Sequence, residues 1–419
     1  MSFVRPVLRW TSILLLWTVV AACLAVTIVP RYLDRIYYHG PESGHYDGER
    51  FFNPDGEDTV RVPGSRRGGR AGFLWRQATG ADGRPEWPDR IAVHKDAPPA
   101  RVDGGAMRAT WVGHATVLVQ ANGLNILTDP VWSEVAGPFG LAGPRRTTAP
   151  AIDFDKLPKI DLVMVSHNHY DHLDIPTLKR LWDRDKPQIV TSLGNDTILR
   201  SAGIEAHGLD WGQAGTLTDT GFEVEDGLPR CDPVAACPGD RATVIVNRNH
   251  HWGSRWFTDR NRALWSSFVV TLPGGNLFFA GDTGAGDYQW ADQAASYGPI
   301  RLAIMPIGAF RFQEGEMRTG SHIGPGEAIK LWNRMGRPVT LPMHWGTFRL
   351  SWEGYWTPPR MLRAIQACAG ETSGRFAPQS LGRPWDIPAL GPALAAAPPP
   401  VSDARVDACM KDPAVTALR

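Results

Sequence analysis

Four potential metal ligands lie within six residues of one another, and this cluster constrains the fold more than any other feature of the chain. They are His167, His169, Asp171 and His172. The apolar run Leu162 to Val165, immediately before them, predicts a short buried strand. The run Thr177 to Trp182, soon after them, predicts a helix. A strand, a ligand-rich loop and a helix in this order place polar groups at the carboxyl end of a strand, where open α/β sheets keep their sites.

The spacing of these side chains favours two adjacent metal ions. His167 and His169 are two residues apart, so on an extended backbone they point the same way and can hold one metal. Asp171 and His172 can turn to a second metal close by. A carboxylate with several imidazoles suits zinc, with iron or manganese as competitors. A polar loop with chance histidines is the weaker interpretation, because three of the chain's 12 histidines lie here.

The run from His167 to His172 resembles a known signature. Its pattern, His-x-His-x-Asp-His, is that of the metallo-β-lactamase superfamily. The longer string Ser166 to Asp174 is similar to the branch containing N-acylphosphatidylethanolamine-hydrolysing phospholipase D, and the ascorbate-6-phosphate lactonases are more distant relatives. The resemblance implies an α/β fold of the αββα sandwich type.

The same resemblance implies the remaining metal ligands. His251, in preference to its neighbour His250, matches the third ligand of the first metal. Asp282 follows an apolar strand and matches the carboxylate that bridges the two metals, and His344 matches the last ligand of the second metal. The implied set is His167, His169 and His251 on one zinc, Asp171, His172 and His344 on the other, and Asp282 shared.

Three further side chains are expected close to this set. By resemblance, Asp129 lies behind the metal-binding histidines and accepts a hydrogen bond from them. His322 is a candidate for phosphate binding or proton transfer, with packing against a helix start as the alternative. His114 supports a ligand, faces the substrate, or is a hydrogen-bonded turn histidine. Catalytic roles are thus expected for Asp282, Asp171 and His322.

The ends of the chain differ from its middle. Trp10 to Val29 is a run of about twenty mostly apolar residues without a charge. That length fits a single membrane span. A cleaved signal peptide is the alternative. We expect an anchor or signal over 1–35, a Gly/Pro-rich arm or linker over 36–105, the hydrolase domain over 106–370, and an extended or disordered Pro/Ala-rich tail over 371–419. An uncleaved anchor would hold the catalytic domain in the periplasm, at the inner membrane.

Charge and cysteine usage limit the partners and the compartment. A net charge of +1 argues against a nucleic-acid partner. In an exported protein Cys231 with Cys237, and Cys368 with Cys409, are plausible disulfide pairs, whereas in the cytosol they would be free thiols. The oligomeric state is not constrained.

The resemblance therefore implies a membrane-tethered dinuclear zinc hydrolase. Its expected activity is that of a phospholipase D-type phosphodiesterase on N-acylphosphatidylethanolamine or a related phospholipid. Two alternatives remain open. One is a lactonase or small phosphoester hydrolase of the same superfamily, and the other is a catalytically silent zinc-binding scaffold. The complete ligand set speaks against the scaffold.

Overall fold

Two seven-stranded sheets and eight α-helices are the main regular elements of the part of the chain that the structure describes. This computed structural model describes residues 4–33, 35–58, 84–141, 143–225, 240–256, 258–312, 319–391 and 399–418. The helices are α1 Val4–Leu33, α2 Ile175–Asp185, α3 Asn195–Ser201, α4 Gln289–Ser296, α5 Pro325–Arg334, α6 Thr357–Ala369, α7 Asp403–Met410 and α8 Pro413–Thr416. The strands are β1 Met107–Gly113, β2 Thr116–Ala121, β3 Leu124–Thr128, β4 Leu162–Val165, β5 Gln188–Ser192, β6 His207–Leu209, β7 Ala214–Thr218, β8 Phe222–Glu225, β9 Asp240–Asn247, β10 Ser267–Thr271, β11 Asn276–Phe279, β12 Ile300–Pro306, β13 Val339–Met343 and β14 Trp385–Asp386.

Each sheet joins antiparallel hairpins to parallel strands. The first has the order β14-β1-β2-β3-β4-β5-β6, and the second has the order β13-β12-β11-β10-β9-β7-β8. Strands β3 to β6 are parallel to one another, as are β11 to β13. Parallel strands of one sheet end at the same edge of that sheet. The loops that follow β3 and β4 therefore share an edge of the first sheet, and the loops that follow β11 and β13 share an edge of the second.

Strand β4 shows how the layers are built. Leu162 and Met164 point into the core between the two sheets, whereas Val163 and Val165 pack with α2 and α3 on the outer face. Because successive side chains of a strand alternate between faces, a run that is apolar throughout is buried on both. Each of these side chains contributes about 1.5–3 kcal/mol by its burial. The layers are therefore those of the αββα sandwich that the resemblance implied.

The Asn122-Gly123 pair predicts a hairpin from the sequence, and the structure has that hairpin between the antiparallel strands β2 and β3. Asn122 and Gly123 both have positive φ, 49° and 69°. That combination gives the turn whose twist matches two antiparallel strands, which is why the Asn-Gly pair predicts a hairpin.

The amino-terminal prediction is not supported. The residues predicted to form a membrane span lie in α1, Val4–Leu33. Across the described residues, however, no helix combines the length and the apolar character needed to cross a membrane.

The carboxyl-terminal tail is more ordered than its composition suggests, so the expectation of an extended or disordered end was wrong for much of it. Strand β14 pairs with β1, and helix α7 buries Val406 against the core. A disulfide between Cys368 in α6 and Cys409 in α7 joins this end to the domain. The other pair considered, Cys231 with Cys237, lies outside the described residues.

Candidate metal centre

The predicted ligands are delivered by loops that meet at one edge of the sandwich. Each loop begins where a buried strand ends. His167, His169, Asp171 and His172 follow β4, His251 follows β9, Asp282 follows β11, and His344 follows β13 directly. The structure therefore brings all seven of these side chains together, although β4 belongs to one sheet and the other three strands to the second.

The first group consists of three imidazoles and one carboxylate. His169 Nδ1 lies 2.8 Å from His167 Nε2 and 3.4 Å from His251 Nε2. Oδ2 of Asp282 is 4.0 Å from His251 Nε2. All four ligand atoms lie within 4.8 Å of one another, in the arrangement expected for the first metal.

The second group shares that carboxylate. His344 Nε2 lies 3.2 Å from His172 Nε2 and 3.0 Å from Asp282 Oδ1. Asp171 Oδ2 is 3.7 Å from both imidazole nitrogens. Since Asp282 approaches both groups, it occupies the position of a bridging ligand.

These donor atoms suit metal ions with nitrogen ligands. Zinc binds imidazole nitrogen at about 2.0–2.1 Å in tetrahedral geometry, which separates two such nitrogens by about 3.3 Å. The separations of 3.2 Å and 3.4 Å agree with that value. The nitrogens of the closer pair, His167 and His169, are 2.8 Å apart and would move slightly further apart when an ion binds between them. The residues present thus fit a two-metal site.

In four of the five predicted histidine ligands, one ring nitrogen is hydrogen-bonded to the protein, and the other ring nitrogen points into the site. The partners are Ser166 Oγ for His167 at 2.8 Å, Asp129 Oδ2 for His172 at 2.6 Å, the Ser321 carbonyl for His251 at 2.8 Å, and the Gly308 carbonyl for His344 at 3.0 Å. Such outer hydrogen bonds fix the tautomer and orientation of metal-binding imidazoles.

Asp129 is the centre of this support. It is fully buried, and it accepts hydrogen bonds from the backbone N–H of Ser166 at 2.7 Å and from its hydroxyl at 2.6 Å. The Ser166 hydroxyl in turn accepts from His167 Nδ1, so one carboxylate orients a histidine of each group. The structure thus places Asp129 behind the ligands.

His114 supports the second group from behind. Its Nε2 lies 3.0 Å from Asp171 Oδ2, and its ring centre is 4.0 Å from that of His344. The backbone is strained here, because His114 and His344 have φ values of 55° and 64°, which residues with a side chain rarely adopt. Strain of this kind concentrates at functional sites.

The two groups differ electrostatically. Burial lowers the pKa of His167 and of His251 well below the usual range, and it lowers the pKa of His169 to about 3. These imidazoles are neutral and offer lone pairs. Burial also acts on His344, but the Asp282 and Asp171 carboxylates outweigh it and raise the pKa of His344 to about 9. A metal bound in the second group would displace that proton.

Two other predicted residues occupy distinct positions. His322 is buried beside both groups, with Nδ1 3.8 Å from Asp282 Oδ2, and burial lowers its pKa to about 4. His250 points away from the ligands and towards Asp55, at 2.9 Å. The geometry therefore selects His251 over His250 for the first group.

Some supporting groups escaped the sequence reasoning. Ser166 stands inside the recognised string, but nothing in its position there signals a bond to Asp129. The carbonyls of Ser321 and Gly308 carry no side-chain signal at all. The arm residues Asn53 and Asp55 also reach the loops that carry ligands.

Comparison with known proteins agrees with the superfamily and the branch that the sequence motifs resemble. Residues 124–345 match the model of the β-lactamase superfamily domain. The N-acyl-phosphatidylethanolamine-hydrolyzing phospholipase D 1 of Caenorhabditis elegans is 33% identical over 288 residues, which cover 66% of this chain and 75% of that protein. The mitochondrial N-acyl-phosphatidylethanolamine-hydrolyzing phospholipase D of Saccharomyces cerevisiae is 30% identical over 273 residues, 64% of this chain and 54% of that protein.

Solved structures agree on the fold. The isothiocyanate hydrolase from Delia radicum gut bacteria superposes with a TM-score of 0.50 at 16% identity, covering 68% of this chain and 100% of that one. At this identity the likeness concerns the fold alone.

Proposed function

Because the chain belongs to the β-lactamase superfamily, in the branch of the N-acylphosphatidylethanolamine-hydrolysing phospholipases D, and is a metal-dependent hydrolase, we propose that it is a dinuclear zinc phosphodiesterase acting on N-acylphosphatidylethanolamine or a related phospholipid. The observation that carries the proposal is the 33% identity to one such phospholipase over 288 residues, a stretch long enough to include all seven ligands. The products would be phosphatidic acid and the N-acylethanolamine.

Seven side chains would hold the two metals. His167, His169 and His251 would bind one, Asp171, His172 and His344 the other, and Asp282 would contact both. When bound, the pair supplies Lewis acidity and a nucleophile that is available near neutral pH. Asp129 and the carbonyls that contact the outer imidazole nitrogens keep the metal-binding nitrogens pointed into the site. The ligands are therefore oriented before a substrate binds.

His322 is the side chain best placed to meet the reacting phosphate. It lies beside Asp282 but belongs to neither ligand set, and its ring centre is 5.1 Å from that of His251. Burial keeps it neutral, so one ring nitrogen can donate a hydrogen bond to a phosphate oxygen while the other accepts. We assign it substrate positioning or proton transfer to the leaving oxygen.

We propose that an acyl chain of the lipid occupies a cavity beside the metal-binding loop, whose wall contains none of the seven ligands. The volume of this cavity is about 630 Å³, and Tyr170 and Asp174 of that loop form part of its wall. Much of its lining is apolar, including Ile175, Ile198 and Trp256. Its size lies within the range of ligand-binding cavities, and its lining suits an acyl chain.

We propose that the protein acts at the periplasmic face of the inner membrane, with α1 held against the membrane surface rather than crossing it. The Cys368–Cys409 disulfide supports an oxidising compartment, and α1 presents Trp10, Leu14 and Trp17 as exposed apolar side chains. Sedimentation of the full chain with phospholipid vesicles tests the attachment. Protein that stays in the supernatant would refute it.

The substrate is tested by product analysis. The zinc-loaded full chain is incubated with N-acylphosphatidylethanolamine in mixed micelles, and in parallel with a lactone and a small phosphodiester. Phosphatidic acid, detected by mass spectrometry and missing with Asp282→Ala, is the expected result. Turnover of the lactone or of the small phosphodiester alone would show that the substrate is of that class and not a phospholipid. No turnover of any substrate by a metal-loaded protein would favour the scaffold.

A further inference from the structure

The segment of residues 37–58, here called the amino-terminal arm, lies outside the matched superfamily domain yet is fastened to a loop that carries a metal ligand. That loop, here called the His251 loop, comprises residues 248–256 and 258–266 between β9 and β10. The hydrogen bonds include Tyr37 Oη to Asp259 Oδ2 at 2.8 Å, the Phe51 N–H to the Asn261 carbonyl at 2.8 Å, Arg262 Nη1 to the Glu49 carbonyl at 2.8 Å, and Arg50 Nη2 to the Thr258 carbonyl at 3.2 Å.

Asn53 contacts the ligand residue itself. Its Nδ2 donates to the backbone carbonyl of His251 at 2.8 Å. Its Oδ1 accepts from Nε1 of Trp265 at 3.1 Å, and Trp265 is fully buried with Tyr46 and Phe51 of the arm. The backbone of His251 is therefore tied through one amide to a rigid aromatic cluster.

Asp55 joins two loops that carry ligands. One oxygen lies 2.9 Å from His250 Nδ1, next to His251 in the chain. The other accepts from the backbone N–H of Asp287 at 2.9 Å, in the loop that follows Asp282. The approach is so close that a Cβ on Gly286, where φ is +54°, would lie 2.2 Å from Asp55 Oδ2.

These contacts bear on the metal centre because His251 and Asp282 reach it from strands that are not neighbours. Strand β10 separates β9 from β11 in the second sheet. The relative position of the two ligands thus depends on their loops, and His251 Nε2 must stay near its 4.0 Å separation from Asp282 Oδ2. A displacement of about 1 Å is enough to degrade a metal site or a reacting geometry.

We propose that the amino-terminal arm is a positioning element of the metal centre, in which Asn53 and Asp55 set His251 relative to Asp282 and so determine the affinity of the His167–His169–His251 site. The inference rests on the two-metal centre of the proposed function, but it does not depend on the substrate. Asn53 and Asp55 act through His251 and through the loop after Asp282, and neither would touch the metal.

The test measures metal binding alone. The full chain is freed of metal and titrated with Zn²⁺ in competition with a chromophoric chelator, which gives the affinities of both sites. The variants are Asn53→Ala and Asp55→Asn, of which the second keeps the side-chain size. The matched control is His45→Ala, since His45 is also in the arm and loses a 2.7 Å bond to Asp210, which lies in neither loop.

We expect Asp55→Asn and Asn53→Ala to weaken one site by about 10- to 100-fold, the usual effect of removing an outer support, while the other site changes less than about threefold. His45→Ala should lower thermal stability with both affinities within about threefold of the parent chain. Equal affinities in all variants would overturn the proposal. So would a loss in His45→Ala as large as in Asp55→Asn, because the arm would then act on overall stability. A parent chain that binds no zinc would instead contradict the proposed function.

Discussion

Asp129→Asn is the substitution that most sharply tests the support behind the two metals. The wild-type carboxylate accepts three hydrogen bonds, from the Ser166 N–H, the Ser166 hydroxyl and His172 Nδ1, at 2.6–2.7 Å. Asparagine has nearly the same shape, but its –NH₂ group cannot accept. At least one of the three donors then faces another donor inside a fully buried site.

The magnitude follows from those contacts. Loss of one hydrogen bond to a charged group costs about 1.5–3 kcal/mol and the unpaired buried donor costs about 1–3 kcal/mol, so the free energy of unfolding should fall by about 2.5–6 kcal/mol. For metal binding, loss of an outer partner costs about 10- to 100-fold in affinity, or about 1.4–2.7 kcal/mol. Both groups should be affected, because Asp129 orients His172 directly and His167 through Ser166.

The assay separates the two effects. Zinc affinity is measured by chelator competition, and stability by urea denaturation of the metal-free chain. Asp161→Asn is the matched control, since Asp161 lies just before β4, at the opposite end from the site. Its carboxylate accepts from Arg101 and from the Asn125 N–H, at 2.7–3.0 Å. It should lose stability and keep its zinc affinity. Unchanged zinc affinity in Asp129→Asn would refute the account of the support.

Three further outcomes are expected. Asp282→Ala should lower kcat for hydrolysis by at least about 1,000-fold, or about 4 kcal/mol, and reduce the zinc bound per chain, as measured by product analysis and elemental analysis; full activity would exclude Asp282 as the bridge. His322→Gln should lower kcat by about 100-fold with zinc content unchanged, and a loss of zinc would make His322 a ligand instead. Reduction of the Cys368–Cys409 disulfide, which closes a separation of 41 residues, should lower stability by up to about 4 kcal/mol in urea denaturation at constant pH and leave activity at 25 °C intact; an unchanged denaturation midpoint would show that the bond does not restrain the tail.

The parts of the fold that the sequence predicts are those with a strong local signal. Strand β4, Leu162–Val165, was predicted with its observed bounds because four buried apolar residues stand between polar ones. The Asn122-Gly123 pair predicts its hairpin turn because asparagine and glycine tolerate the positive φ that the structure shows at both positions. For the site, the predicted ligands meet in space, and the spacing of His167 to His172 and the family pattern together carried that information.

What the sequence did not reveal depends on contacts between distant residues. Asn53 lies 198 positions from the carbonyl it binds, and a Gly- and Pro-rich composition identifies such an arm only as irregular. Helix α7 has a weak local signal, and it is held by burial of Val406 and by the Cys368–Cys409 disulfide. The length and apolar character of the amino-terminal run predict a membrane span, but no helix that meets both requirements for crossing a membrane is found among the described residues.

The most direct test of the central claim is a zinc titration of hydrolysis. The metal-free full chain receives known equivalents of Zn²⁺, and phosphatidic acid formation from N-acylphosphatidylethanolamine is followed at each step, with bound zinc counted in the same samples. The account predicts that activity reaches its plateau at two equivalents per chain, and that Asp282→Ala gives no plateau at any loading. A plateau at one equivalent, or activity without bound metal, would contradict it.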